Sequence, residues 1–213
     1  MDEDAFSQQR ARLVQRIQGT TLIRDQRLYE AFASVPRHRF VPESQVEFAY
    51  EDRALPLSEL QTISQPTMIA IMLDALRCRP EDHALEVGAG SGYAAALLAR
   101  LVAQVDAIEI RSALAERAQQ TLLEIGAHNV RIHVGDGSRG LAERGPFQRI
   151  LVSAGAGAVP PALLEQLAPG GRITIPVGNE VTQTLLVGER TNNGAVHWEQ
   201  SVPCMFVPLI EPS

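Results

Sequence analysis

Leu85-Glu86-Val87-Gly88-Ala89-Gly90-Ser91-Gly92-Tyr93 is the stretch that decides the fold of this chain. A buried strand runs into a glycine turn and then a helix. The three glycines remove Cβ atoms where the backbone turns sharply and where a ligand approaches it closely. The spacing Gly88-x-Gly90-x-Gly92 differs from the G-x-G-x-x-G fingerprint of dinucleotide binders, and Glu86 stands two residues before the first glycine. A carboxylate there suits a cationic ligand group and is poorly placed against a pyrophosphate. Both features disfavour an NAD-dependent oxidoreductase.

Outward from this turn the same unit repeats. Strands fall near Ala84–Val87, Val105–Ile110, Val130–Val134, Ile150–Ser153 and Arg172–Pro176, with helices over Ser91–Val102, Ser112–Ile125 and Pro160–Leu167. Gly126 is placed to end the second of these helices. Apolar strands separated by amphipathic helices form a parallel sheet covered on both faces. After Thr182 the pattern changes. Thr184–Gly188, Val196–Val202 and Met205–Leu209 read as short strands, and Asn192-Asn193-Gly194 as the turn of an antiparallel hairpin that finishes the sheet. On the N-terminal side, Phe6, Leu13, Val14 and Ile17 share a helical face, and Asp25 caps a second helix carrying Leu28 and Phe32. Pro66 opens a third helix, with Met68, Ile69, Met72, Leu73 and Leu76 as its stripe. Pro36, Pro42 and Pro56 break regular structure between these helices. The expected fold class is α/β: a Rossmann-like, doubly wound, mostly parallel sheet with a helical N-terminal extension and C-terminal antiparallel strands. One domain is expected, divided as residues 1–80, 81–178 and 179–213.

With 213 residues, 45% hydrophobic and 21% charged, the chain suits one soluble domain with a sizeable core. A net charge of −6 and an isoelectric point near 5.4 argue against a broad phosphate-binding surface, so nucleic acid is not the expected partner. Met1-Asp2-Glu3-Asp4 lacks the apolar run of a signal peptide, and no stretch reaches membrane-spanning length. A cytoplasmic protein without a membrane partner is expected, with a monomer as the default. Cys78 and Cys204 are expected as buried free thiols. The histidines show no metal-binding spacing, so no metal is expected.

Two further acidic signals follow the glycine turn. Glu109 ends the next strand, about 20 residues beyond the turn, where a ribose diol is gripped in this architecture. Gly135-Asp136-Gly137 follows the third strand, where Asp136 can accept a hydrogen bond from an adenine amino group. Glu86, Glu109 and Asp136 thus sit at the carboxyl ends of three successive strands. Together they describe an adenosine ligand with a positively charged, phosphate-free tail, which fits S-adenosyl-L-methionine better than NAD.

Upstream of the turn, Gln61-Thr62-Ile63-Ser64-Gln65-Pro66 resembles the signature of the protein-L-isoaspartate O-methyltransferases. Val35-Pro36-Arg37-His38-Arg39-Phe40-Val41-Pro42, Ala49-Tyr50-Glu51-Asp52, Gly135-Asp136-Gly137, Leu167-Ala168-Pro169-Gly170-Gly171-Arg172 and Phe206-Val207-Pro208-Leu209 also resemble that family's segments, in its order. The resemblance implies a class I methyltransferase fold and S-adenosyl-L-methionine as cofactor. It implies transfer of the sulfonium methyl to the α-carboxylate of L-isoaspartyl residues in damaged proteins and peptides, the first step of their repair.

By the same resemblance Ser64 is the catalytic residue and binds substrate, its hydroxyl orienting the carboxylate. Gln61, Thr62 and Ile63 close over the cofactor; Gly88, Gly90 and Gly92 cradle its methionine part. Glu86 faces its amino group, Glu109 holds the ribose, and Asp136 with Gly137 meets the adenine. Val207-Pro208-Leu209 resembles the substrate-edge segment, whose backbone holds an extended peptide. Ser64 also stands where a helix cap falls just before Pro66, and the two roles can coexist. Arg37 and Arg39 suit carboxylate clamps by type, but surface or structural pairing is the expected role.

Two departures from the family's pattern stand out. Leu60 takes a place where many members have glycine, which would stiffen or reposition the loop carrying Ser64. Ser153-Ala154-Gly155-Ala156-Gly157 replaces an alanine-rich run, and its glycines would loosen the substrate side. They keep open a same-fold methyltransferase acting on another carboxylate, or a non-catalytic isoaspartyl- or cofactor-binding module.

Overall fold

The computed structural model of the protein describes residues 3–58 and 61–210; Leu60, and the expectation attached to it, lie outside them. Helices α1 (Glu3–Thr20) and α2 (Gln26–Ser34) bury Phe6, Leu13, Ile17, Leu28 and Phe32 in one apolar cluster. Asp25 caps α2, accepting the Arg27 N–H at 3.1 Å. The proline-rich connection holds two 3-10 helices, Arg37–Phe40 and Glu43–Phe48, and an antiparallel ribbon of β1 (Leu55–Pro56) and β2 (Thr62–Ile63). Helix α3 (Pro66–Leu76) starts on Pro66, whose missing N–H is one that no helix could pair there.

The core contains β3 (His83–Val87), α4 (Tyr93–Leu98), β4 (Gln104–Glu109), α5 (Ser112–Glu124), β5 (Val130–Val134), β6 (Phe147–Val152), α6 (Pro161–Glu165), β7 (Leu167–Gly178), β8 (Gln183–Arg190) and β9 (Val196–Cys204). The seven strands form one sheet in the order β5-β4-β3-β6-β7-β8-β9. Neighbours from β5 through β7 run parallel, and β8 and β9 return antiparallel. The order reverses between β3 and β6, which puts the glycine turn after β3 at the switch point where open parallel sheets bind ligands. Gly126, at φ +74°, stands just past α5 and ends it. Gly194 takes φ +89° in the β8–β9 turn, where Thr191 and Ala195 pair.

Three expectations are corrected. Helix α4 is shorter than Ser91–Val102: after Leu98 the chain tightens to three-residue bonds, Arg100 N–H to Leu97 and Leu101 N–H to Leu98. That tightening lets Ala103 N–H reach the Asp82 carbonyl so that β4 can begin. Met205–Leu209 is not a strand; its one ladder contact is a parallel bridge between Pro208 and Gly155. Cys204 is half-buried rather than buried, since β9 is the sheet's outer strand, while Cys78 is buried; both are unpaired. Among the described residues no group of three or more His, Cys, Asp or Glu is placed to hold a metal, and no helix is long and apolar enough to cross a membrane.

Candidate active site

Three adjoining cavities open at the carboxyl ends of β3, β4 and β6, and Thr62 and Ser153 stand in the walls of all three. The first lies over the glycine turn and is bounded by Ile63, Ser64, Glu86, Gly88 and Gly90. The second is bounded by Gln61, Glu109, Gly137, Pro208 and Leu209. The third, of about 350 Å³, is bounded by Arg53, Ser64, Gln65, Met68 and Phe206. Ser64 belongs to the first and third, and Val207 to the second and third.

The turn is held from β4. Gly88 and Ala89 both donate to the Ile108 carbonyl, at 2.9 and 3.1 Å, and Gly90 N–H donates to Glu109 Oε2 at 2.8 Å. Gly88 and Gly90 sit at φ +81° and +51°, a conformation other residues rarely adopt. Gly92 borders none of the three cavities. A Cβ there would lie 3.1 Å from the Ala118 Cβ, so the third glycine lets α4 approach α5.

The acids differ in their surroundings. Glu86 is fully buried; its Oε1 accepts the Ser153 hydroxyl at 2.8 Å and its Oε2 is buried without a partner. Burial pushes its carboxyl up to about 8, against the opposing Ser153 bond. An orphaned carboxylate oxygen beside the first cavity fits a cationic group, which would restore its charge. Glu109 accepts from Gly90 N–H and, at 3.0 Å, from Arg111 N–H, which fixes its carboxylate at the second cavity. Asp136 caps the short helix Gly137–Arg139, its Oδ1 accepting the Ser138 N–H at 2.9 Å and hydroxyl at 2.7 Å. Gly137, not Asp136, borders the cavity.

Ser64 does not cap α3. Gln65 takes the N-cap position, and Asp52 satisfies the first turn from a distance, accepting Thr67 N–H at 2.9 Å and Thr67 Oγ1 at 2.8 Å. Gln65 Nε2 adds a bond to the same carboxylate at 3.2 Å. The Ser64 hydroxyl has no hydrogen-bond partner among the described residues, and its carbonyl accepts from Arg37 at 3.0 Å. Arg39 pairs with Glu124 at the surface, 2.8 Å away.

The segment after β9 is anchored rather than free. Gly155 N–H donates to Val207 O at 2.8 Å, and Leu209 N–H donates to Gly155 O at 2.7 Å. Gln183 accepts the Phe206 N–H at 2.8 Å and donates to the Phe206 carbonyl at 3.0 Å. Pro208 and Leu209 therefore border the second cavity rather than the 350 Å³ groove, and much of the backbone expected to hold a peptide is already paired. The expected loosening at Gly155 is also corrected: the residue is buried, and the Gln183 amide fills the place of its missing side chain. Gly157 is exposed with nothing within 4 Å of a Cβ position. Sequence reasoning missed Ser153 as a site residue and Gln183 as the anchor of the segment after β9. The only signal for Ser153 was its place at the end of the strand beside β3.

The description "Protein-L-isoaspartate(D-aspartate) O-methyltransferase (PCMT)" belongs to a family model that matches residues 8–213. The chain belongs to this family. The protein-L-isoaspartate O-methyltransferase of Roseiflexus sp. strain RS-1 is 52% identical over 188 residues, covering 88% of this chain and 86% of the relative. That of Methanopyrus kandleri is 46% identical over 213 residues, covering 98% and 94%. A solved protein-L-isoaspartate O-methyltransferase superposes with a TM-score of 0.85 at 26% identity over 93% of this chain, which spans 65% of that longer chain. A beta-aspartate methyltransferase (PCMT) of Plasmodium falciparum, solved with S-adenosyl-L-homocysteine, gives 0.80 at 24% identity over 93% of this chain and 96% of that one, a likeness of fold.

Proposed function

We propose that this protein, using S-adenosyl-L-methionine, methylates the α-carboxylate of L-isoaspartyl residues in damaged proteins, with the residues around the three cavities in the roles below. The observation that carries the reading is the position of Ser64, between the glycine cradle and the 350 Å³ groove, with its hydroxyl unpaired among the described residues.

When bound, S-adenosyl-L-methionine supplies a methyl group already activated by its sulfonium. Glu86 and the backbone of Gly88 and Gly90 would hold its amino-acid end, Glu109 its ribose, and Gly137 with Asp136 its adenine. Gln61, Thr62 and Ile63 cover the cradle from the β2 side. A carboxylate acceptor is ionised at neutral pH, so no side chain has to remove a proton. The protein's work is alignment and exclusion of water. Ser64 donates its hydroxyl to one carboxylate oxygen and leaves the other facing the cradle. Thr62 and Ser153, shared by all three cavities, line the passage between.

The groove accepts a peptide flank beside Met68, Phe206 and Val207. The net charge of −6 supports a protein substrate over nucleic acid. We further propose a monomer acting in the cytoplasm, without a membrane partner. The two unpaired thiols fit a reducing compartment.

The reading is tested by mass spectrometry of an isoaspartyl peptide incubated with enzyme and S-adenosyl-L-methionine. One added methyl, lost in mild alkali with partial return to the normal aspartyl linkage, is expected. A methyl that survives alkali would place the reaction on another acceptor.

A further inference from the structure

Arg37 has no part in the roles above, yet it is the largest fully buried side chain among the described residues. Among the described residues no carboxylate lies within ion-pair distance of its guanidinium. It donates to the Ser64 carbonyl at 3.0 Å and the Arg53 carbonyl at 3.3 Å, and its Cζ lies 5.0 Å from the centre of the Tyr93 ring. Its Nε is buried without a partner.

Ser64 and Arg53 are both walls of the 350 Å³ groove, and Tyr93 is a wall of the glycine cradle. Asp52, the carboxylate nearest in effect, spends its oxygens on Thr67 and Gln65. Burial lowers the guanidinium to about 10, so it stays protonated at neutral pH. A buried charge without a direct ion pair is costly, and that cost is offset in part by two carbonyls, the Tyr93 ring and the more distant Asp52 carboxylate.

Resting on the isoaspartyl reading of the groove, we propose that Arg37 is a positioning residue for the transfer. It ties the Ser64 and Arg53 walls at a fixed spacing, and its charge favours an incoming substrate carboxylate in a groove whose acidic wall, Asp52, is already engaged by Thr67 and Gln65. Binding the Ser64 carbonyl also polarises the Ser64–Gln65 peptide, whose trans geometry turns Gln65 N–H away from the guanidinium. Arg37 acts through Ser64 and through its field, without touching the reacting atoms.

The test compares wild type, Arg37→Lys and Arg37→Met. The measurements are KM and kcat for an isoaspartyl peptide, calorimetric binding of that peptide and of its α-carboxamide analogue, S-adenosyl-L-homocysteine affinity, and thermal midpoint. Wild type should prefer carboxylate over carboxamide. Arg37→Met should abolish that preference and raise KM by about tenfold or more, with homocysteine-cofactor affinity near wild type. Arg37→Lys should keep the preference, because it keeps the charge, and still raise KM, because an ammonium cannot span both carbonyls in the same fork.

An unchanged carboxylate preference in Arg37→Met would overturn the proposal. So would losses in peptide and cofactor binding that simply follow the thermal midpoint. Where Arg37→Met does not fold, Arg37→Lys decides, and a wild-type KM there would overturn the spanning role. Absent turnover combined with Arg37-dependent carboxylate binding would overturn the transfer reading and leave the Arg37 assignment standing.

Discussion

Replacing Gly155 by alanine would place a Cβ 2.4 Å from Gln183 Nε2, 2.7 Å from its Cδ and 2.8 Å from its Oε1. Real Cβ atoms do not approach that closely, and the amide is the movable party. Its displacement breaks both bonds to Phe206, at 2.8 and 3.0 Å, and leaves a buried N–H and C=O unpaired. Each such group costs about 1–3 kcal/mol, so the variant should lose on the order of 2–6 kcal/mol. For a chain of this length that is roughly 4–24 °C of thermal midpoint. Val207 to Ile210 border the second cavity, so S-adenosyl-L-homocysteine affinity should fall as well. Differential scanning calorimetry of Gly155→Ala, Gln183→Ala and the double variant checks the reasoning. Gln183→Ala has already removed the amide, so adding Gly155→Ala to it should cost almost nothing. Equal costs of Gly155→Ala in both backgrounds would refute it.

Glu109→Ala should weaken S-adenosyl-L-homocysteine binding about tenfold or more, since hydrogen bonds to a charged group contribute about 1.5–3 kcal/mol; calorimetric affinities equal to wild type would contradict the ribose assignment. Ser64→Ala should lower kcat far more than cofactor affinity, and a matched fall in both would assign Ser64 to cofactor binding instead. Burial raises Glu86 in the folded protein to about 8 from an ordinary value of 4.5, so the folded state binds the extra proton between these values. Stability from this group is complete below about 4.5 and is lost as pH rises through about 8. Glu86→Gln should remove that loss, so the thermal midpoint of wild type should fall relative to the variant on raising pH, and parallel curves would contradict the buried proton.

The parts of this molecule that follow from local pattern were legible in its sequence. The strand before Gly88, the left-handed glycines, the Asp25 cap and the Gly126 stop each depend on residues within a few positions of one another. Glu86 and Glu109 were legible because their place at strand ends follows from the alternation. What escaped was carried by long-range neighbours. Asp52 caps α3 from 15 residues upstream, which frees Ser64 from the capping role its position suggests. Ser153 meets Glu86 only because β6 lies beside β3 in the sheet. Met205–Leu209 has the apolar content of a strand, but Gln183 and Gly155 take its backbone groups before any strand can. His83 and His133, 50 residues apart, each place Nε2 2.6 Å from the buried Asp106, a pairing that no spacing rule anticipates.

The most direct test of the central claim is methyl transfer from labelled S-adenosyl-L-methionine to two synthetic peptides that differ only in one linkage, isoaspartyl in one and normal aspartyl in the other. The account predicts base-labile label on the isoaspartyl peptide and none on its twin. Equal labelling of both, or none on either while S-adenosyl-L-homocysteine still binds, would contradict it.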